Sequence, residues 1–159
     1  MCELAKQIVE LDVREMLRSK QDPFERIMET VQTLAPDDVL ELHATFRPEP
    51  LLKVMQRQGF HHAVLEQTPD HVVVQFYRKE AELPLFYLDN RGLEPPQPMV
   101  RTLELLDQEE SFKNGSLGME IWNERVPALL FPELTERTYQ YQVMDEEEGI
   151  VSVKIWREK

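Results

Sequence analysis

The chain has one cysteine, Cys2, so no internal disulfide holds it together. It has only five glycines, and none belongs to a phosphate-cradling loop or a dinucleotide fingerprint. It has no run of lysine or arginine. With a net charge of -12 it lacks the basic patch that marks nucleic-acid binding, and it repels polyanions and anionic membranes. No apolar stretch is long enough to span a bilayer. No positively charged start followed by an apolar core marks a signal peptide. Taken together, these absences predict a cytoplasmic protein with neither nucleic acid nor membrane as partner. No Ser-His-Asp order suggests a hydrolase.

What the chain does have is a repeat. Leu11-Asp12-Val13-Arg14 returns as Leu88-Asp89-Asn90-Arg91, and Glu41-Leu42-His43 returns as Glu120-Ile121-Trp122. Val72, Val74, Phe76, Tyr77 and Arg78 match Val151, Val153, Ile155, Trp156 and Arg157. The offset is about 77 residues at the first match and about 79 over the last stretch, which is the size of a small domain and too long for a solenoid unit. Two tandem domains are predicted, 1–80 and 81–159. A core of that size is marginal alone, so the halves are expected to pack on each other.

Hydrophobic spacing gives the elements. Leu4, Ile8, Val9 and Leu11 suggest a short helical turn leading into a first strand. Pro23 opens a helix whose inner face is Phe24, Ile27, Met28, Val31 and Leu34, because proline is tolerated where the first helical N–H has no partner. Val39 to His43 alternates as a strand. Pro48 and Pro50 open a second helix with Leu51, Leu52, Val54 and Met55 inward, and Gly59 ends it. His61 to Gln67 and His71 to Arg78 form a hairpin about Thr68-Pro69-Asp70. The second copy runs in the same order. It has a strand at Pro84 to Asp89, a helix at Pro98 to Leu106 with Met99, Leu103 and Leu106 inward, and a strand holding Leu117, Met119 and Ile121. A short helix from Val126 to Leu134, interrupted by Pro132, follows. The last hairpin pairs Tyr139 to Met144 with Ile150 to Arg157 around an acidic turn, Asp145 to Gly149.

Each half therefore reads β-α-β-α-β-β. A strand, a helix and a second strand imply a parallel pair with a right-handed crossover, and the closing hairpin is antiparallel. The predicted fold class is α/β in the α+β sense: a two-layer sandwich in each half, with a mixed four-stranded sheet and two helices on one face. Val72, Val74 and Phe76, like Val151, Val153 and Ile155, should face the helices. The opposite face carries Gln75, Tyr77, Lys154, Trp156, His43 and Trp122. Rings there serve either packing and edge capping or a partner surface.

Asp89-Asn90-Arg91-Gly92-Leu93-Glu94-Pro95-Pro96-Gln97-Pro98 ends a strand and opens a helix. It resembles the Asp-x-Arg-Gly-Leu-x-Cys-Pro-x-Pro signature of TusA/SirA-like sulfur carriers, with Pro95 standing where that family has its cysteine. Asp12, Arg14 and Pro23 keep part of the motif in the first copy, where Lys20 or a neighbour takes the cysteine position. The element order is similar as well, and the chain looks like the uncharacterised relatives of that family, which keep Asp-x-Arg and the fold but often lack the cysteine. In the carriers, a thiol at a helix N-terminus becomes a thiolate near neutral pH and passes on a persulfide. Proline has no nucleophile, so that route is disfavoured here. Cys2 sits near the chain start and is expected to be incidental.

The resemblance implies a working surface at the two strand-to-helix mouths, Asp12, Arg14 and Pro23 in one copy and Asp89, Arg91, Pro95, Pro96 and Pro98 in the other, with Trp122 and Trp156 second. Arg14 and Arg91 either tie the strand end to the helix start or receive a small anion beside helix N–H groups. His61, His62 and His71 invite a metal reading, but His61 and His62 are strand neighbours on opposite faces, about one of the three could serve any given site, and no chelating spacing is present, so neither metal nor cofactor is expected. The acidic turn resembles no calcium loop. The expected function is a non-catalytic protein-binding or regulatory module, linked by the resemblance to sulfur, redox or metal-centre metabolism. Its partner would be a protein or a small anion. The alternative is a sulfur carrier or small-molecule-handling enzyme using Cys2 or a cleft between domains.

Overall fold

A computed structural model describes residues 6–80, 83–147 and 150–158. The chain divides into two compact units, Met1–Glu82 and Leu83–Lys159. In the first, strands β1 (Ile8–Asp12), β2 (Val39–Ala44), β3 (His61–Thr68) and β4 (His71–Tyr77) accompany helices α1 (Arg14–Arg18), α2 (Phe24–Val31) and α3 (Glu49–Arg57). The second has β5 (Leu85–Asp89), α4 (Gln97–Gln108), α5 (Glu110–Lys113), β6 (Gly118–Asn123), α6 (Leu130–Glu136), β7 (Gln140–Glu147) and β8 (Ile150–Trp156). Each unit holds one mixed four-stranded sheet, in the orders β1-β2-β4-β3 and β5-β6-β8-β7. β1 pairs parallel with β2, and β5 with β6, as a strand-helix-strand crossover requires. The remaining pairs are antiparallel.

The core of the first unit lies between sheet and helices. Leu40, Leu42 and Ala44 alternate inward along β2 and meet Val72, Val74 and Phe76 of β4. Ile27 and Val31 of α2 and Leu51, Leu52 and Met55 of α3 close over them. In the second unit Met119, Ile121, Val153 and Ile155 are fully buried, with Leu106, Phe112, Leu130 and Leu134 from the helices. Gly59 ends α3 at φ +94°, the left-handed region that glycine enters without a Cβ clash. Among the described residues no helix is long and apolar enough to cross a membrane.

The structure corrects several expectations. Ile8, Val9 and Leu11 lie in β1 and not in a helical turn, because parallel pairing with Val39, Leu40 and Leu42 supplies a ladder that a four-residue turn cannot match. Leu4 and Cys2 fall outside the described residues. Arg14–Arg18 adds an unforeseen short helix. Phe24 is 46 % exposed and does not join the core. Met99 and Leu103 are only half-buried. α6 starts at Leu130, and Pro132 sits in its first turn instead of interrupting it, where a missing N–H costs nothing. β7 continues through Asp145 to Glu147, so the acidic segment is largely strand. Its remaining residues, 148 and 149, lie outside the described residues. Both hairpins carry a register irregularity, between Glu66 and Thr68 in β3 and between Val143 and Asp145 in β7.

Candidate functional site

The turn after the first strand is built alike in both units. The Asp12 carboxylate accepts from the Arg14 backbone N–H at 3.0 Å and from its guanidinium, Nε at 3.0 Å and Nη2 at 2.7 Å. Asp89 accepts from the Arg91 N–H at 3.1 Å and from Nε and Nη2, both at 2.9 Å. The Arg14 guanidinium holds the Asp12 carboxyl well below the usual carboxylate range. Asp89 in turn raises the pKa of Arg91. Nε and Nη2 of each arginine are thus spent on the turn's own aspartate. This is the tie between strand end and helix start, and neither arginine lines the cavities described next.

Beyond each turn, where the parallel strands end and the helices begin, lies an open, mostly apolar cavity. The first, about 250 Å³, is lined by Val13, Pro23, Phe24, Phe46, Pro48 and Leu51 among others. The second, about 360 Å³, is lined by Leu93, Pro95, Pro96, Pro98, Met99 and Val126, with Asn90 and Leu129. The walls are proline-rich because these segments are helix starts: Pro23, Pro48 and Pro96 are the N-cap residues of α2, α3 and α4. Pro23 therefore lines the first cavity and Pro95, Pro96 and Pro98 the second, whereas Asp12, Arg14, Asp89 and Arg91 line neither.

The second cavity is the more polar of the two, with Asn90, Asn123, Glu124 and Arg125 in its lining against Asp22 in the first. Val13 and Asn90 are equivalent, each donating its backbone N–H to β2 or β6, at His43 (3.0 Å) and Trp122 (2.8 Å). The Asn90 amide Nδ2 donates to Thr102 Oγ1 and Asn123 Oδ1, both at 3.1 Å, and Thr102 Oγ1 donates to the Pro98 carbonyl at 2.8 Å. Asn90 is buried and its Oδ1 has no partner. Leaving a buried acceptor unmet costs about 1–3 kcal/mol. Repeat alignment shows the Val13/Asn90 difference, but it gives no sign that Thr102 and Asn123 lie nearby.

The tryptophans sit elsewhere. Trp122 is 1 % exposed, donates Nε1 to Glu120 at 2.9 Å and lies 5.4 Å from the Arg91 guanidinium. It is not an exposed docking ring. Trp156 is half-buried with the Lys154 ammonium 5.4 Å from its ring, at the end of the sheet away from the cavities.

The face of the first sheet opposite its helices holds a cluster of carboxylates and imidazoles drawn from three strands. His43 Nε2 lies 3.0 Å from Glu41 Oε2 and 3.4 Å from Glu10 Oε1. His43 Nδ1 lies 2.9 Å from His71 Nε2, and Gln75 Nε2 donates to Glu41 Oε1 at 2.8 Å. Hydrogen bonding to Glu41 raises the His43 pKa against the opposing effect of burial, while burial lowers that of His71. The signal was available: Glu41 and His43 are two apart on a strand, hence on one face.

No curated protein and no solved structure matches the chain. One family does, twice, over residues 10–78 and again over 87–157, which together take in both β-α-β-α-β-β units. The chain accordingly belongs to the uncharacterized conserved protein family DUF2249, as two copies in tandem.

Proposed function

We propose that this chain is a non-catalytic binding module in which the helix mouths accept apolar side chains of a partner protein. The observation that carries this reading is the recurrence of one cavity in one place in both units. The linings are mainly apolar, and the charged groups among them are Asp22 in the first cavity and Glu124 and Arg125 in the second, with no thiol, hydroxyl or imidazole nucleophile among the described residues. Leu129, 80 % exposed on the second cavity's wall, adds an apolar contact of the kind that interface cores use. The similarity of the Asp89 to Pro98 motif and of the element order to TusA/SirA-like carriers supports placing the partner in sulfur, redox or metal-centre metabolism. Pro95, at the carriers' cysteine position, turns a transfer site into a docking site in this reading.

A photo-crosslinking side chain at Leu129 tests it in the native cell. One discrete protein adduct is expected, reduced at least about tenfold by Met99→Glu, which would bury a carboxylate against the partner's apolar side chain. Circular dichroism checks that the variant folds. Absence of an adduct, or an adduct indifferent to Met99→Glu in folded protein, overturns the assignment. A second reading, in which the second cavity holds a small molecule, is favoured by the partnerless Asn90 Oδ1. Such a ligand would bring an apolar body and one N–H or O–H donor. A bound compound released by denaturing the native protein would identify it.

A further inference from the structure

We propose that Glu10, Glu41 and His43 bind one divalent first-row transition ion on the face of the first sheet opposite its helices. The strands put the donors there without loops. Parallel register sets Glu10 of β1 beside Glu41 of β2, and the two-residue period of β2 sets His43 on the same side. All three donor atoms lie within 4.8 Å of one another. The imidazole nitrogen is 3.0 and 3.4 Å from the two carboxylate oxygens. Donors held about 2.0–2.2 Å from a common ion stand about 3–3.5 Å apart.

Two carboxylates converge on one imidazole nitrogen, and that nitrogen carries at most one hydrogen. A dication satisfies all three, and two carboxylates with a neutral imidazole balance its charge. The supporting contacts are those that ligands of an ion require. With Nε2 on the metal, the Nδ1 proton of His43 is donated to His71 Nε2, fixing tautomer and ring plane. Gln75 holds the far oxygen of Glu41. Glu10 has a 71 % exposed side chain and His43 a 16 % exposed one, so the ion reaches the site from solvent and keeps positions for water. Imidazole and carboxylate donors without sulfur suit Zn²⁺, Fe²⁺ or Mn²⁺, and of these Zn²⁺ is held most tightly. The matching places in the second unit are Tyr87, Glu120 and Trp122, which cannot form the set.

Calorimetric titration of the full chain with Zn²⁺, free of affinity tag and after chelation, tests this. One ion per chain is expected. Glu10→Gln and His43→Asn should each weaken binding by about 100-fold or more, and His71→Ala by about 10–100-fold through loss of ring orientation. Glu10 is exposed, so Glu10→Gln decides the matter even if His43→Asn fails to fold. No Zn²⁺ uptake by the wild-type chain overturns the proposal, as does uptake that Glu10→Gln leaves unchanged. The readout involves no partner protein, so it stands or falls apart from the docking assignment above.

Discussion

Asn90 carries the clearest consequence at the scale of single residues. Its counterpart is Val13, so valine meets the same backbone requirement there. Asn90→Val gives up the bonds to Thr102 and Asn123 but also removes the partnerless Oδ1. The balance should be a loss of about 1 kcal/mol, measured by chemical denaturation. A neutral or stabilising outcome would show that the amide network serves the cavity and not the fold. Glu109 gives a pH-dependent case. Burial pushes its carboxyl up from the ordinary value. A raised folded pKa means that the stabilising contribution is complete below the unfolded value, about 4.3, and is lost as pH rises through the folded one. Glu109→Gln should therefore raise the melting temperature at pH 7 by roughly 1–2 °C, allowing for solvent screening, and leave it unchanged near about pH 3.5. An equal gain at both pH values would point to another cause. Short-range chemistry of this kind was partly legible beforehand. The Asp12–Arg14 and Asp89–Arg91 ties span two residues and occur twice. The Asn90 bonds to positions 12 and 33 residues away, and the His43–His71 contact 28 residues apart, come only from the folded sheet.

Among the elements, β6 shows most plainly how sequence becomes structure. All six of its residues are buried, with Met119 and Ile121 at zero exposure. Ile121 stands between Leu88 of β5 and Val153 of β8 and cannot be truncated without leaving a hole. Ile121→Ala is expected to cost about 2–5 kcal/mol, read as a lowered denaturation midpoint. A cost well under 1 kcal/mol would mean that the sheet collapses around the gap. Strong alternation made the strands legible at β2, β4, β6 and β8, and the Pro-led helix starts made α2, α3 and α4 legible to within a residue or two. The failures have separate causes. β1 is five residues long and mixes glutamate with apolar residues, so only its parallel partner makes it a strand. The segment before α6 is apolar at Val126, Leu129 and Leu130, a pattern that reads as helix. All three line the second cavity, Val126 and Leu129 from the irregular segment ahead of the helix and Leu130 from its first position. Nor does local spacing decide which strand of a hairpin joins the centre of a sheet. Here β4 and β8 do, and that choice brings His71 and Gln75 to Glu41 and His43.

For the molecule as a whole, duplication has kept a scaffold and let its surfaces diverge. Both units retain the aspartate–arginine turn, the cavity and the sheet order. They differ in what they offer: an imidazole with two carboxylates in one, and an orphan amide carbonyl in the other. The expected Zn²⁺ stoichiometry is accordingly one per chain and not two. A value of two would mean that the retained glutamate, Glu120, suffices with other groups. The matched irregularities in β3 and β7 have a further bearing. These strands form one rim of each sheet, and the other rim is a strand of only five residues, β1 or β5. A bulge throws the outward row of amides out of line, and a short strand gives a newcomer little to grip. The same chain that repeats its fold internally is thereby poorly suited to extending that repetition from molecule to molecule as a fibre.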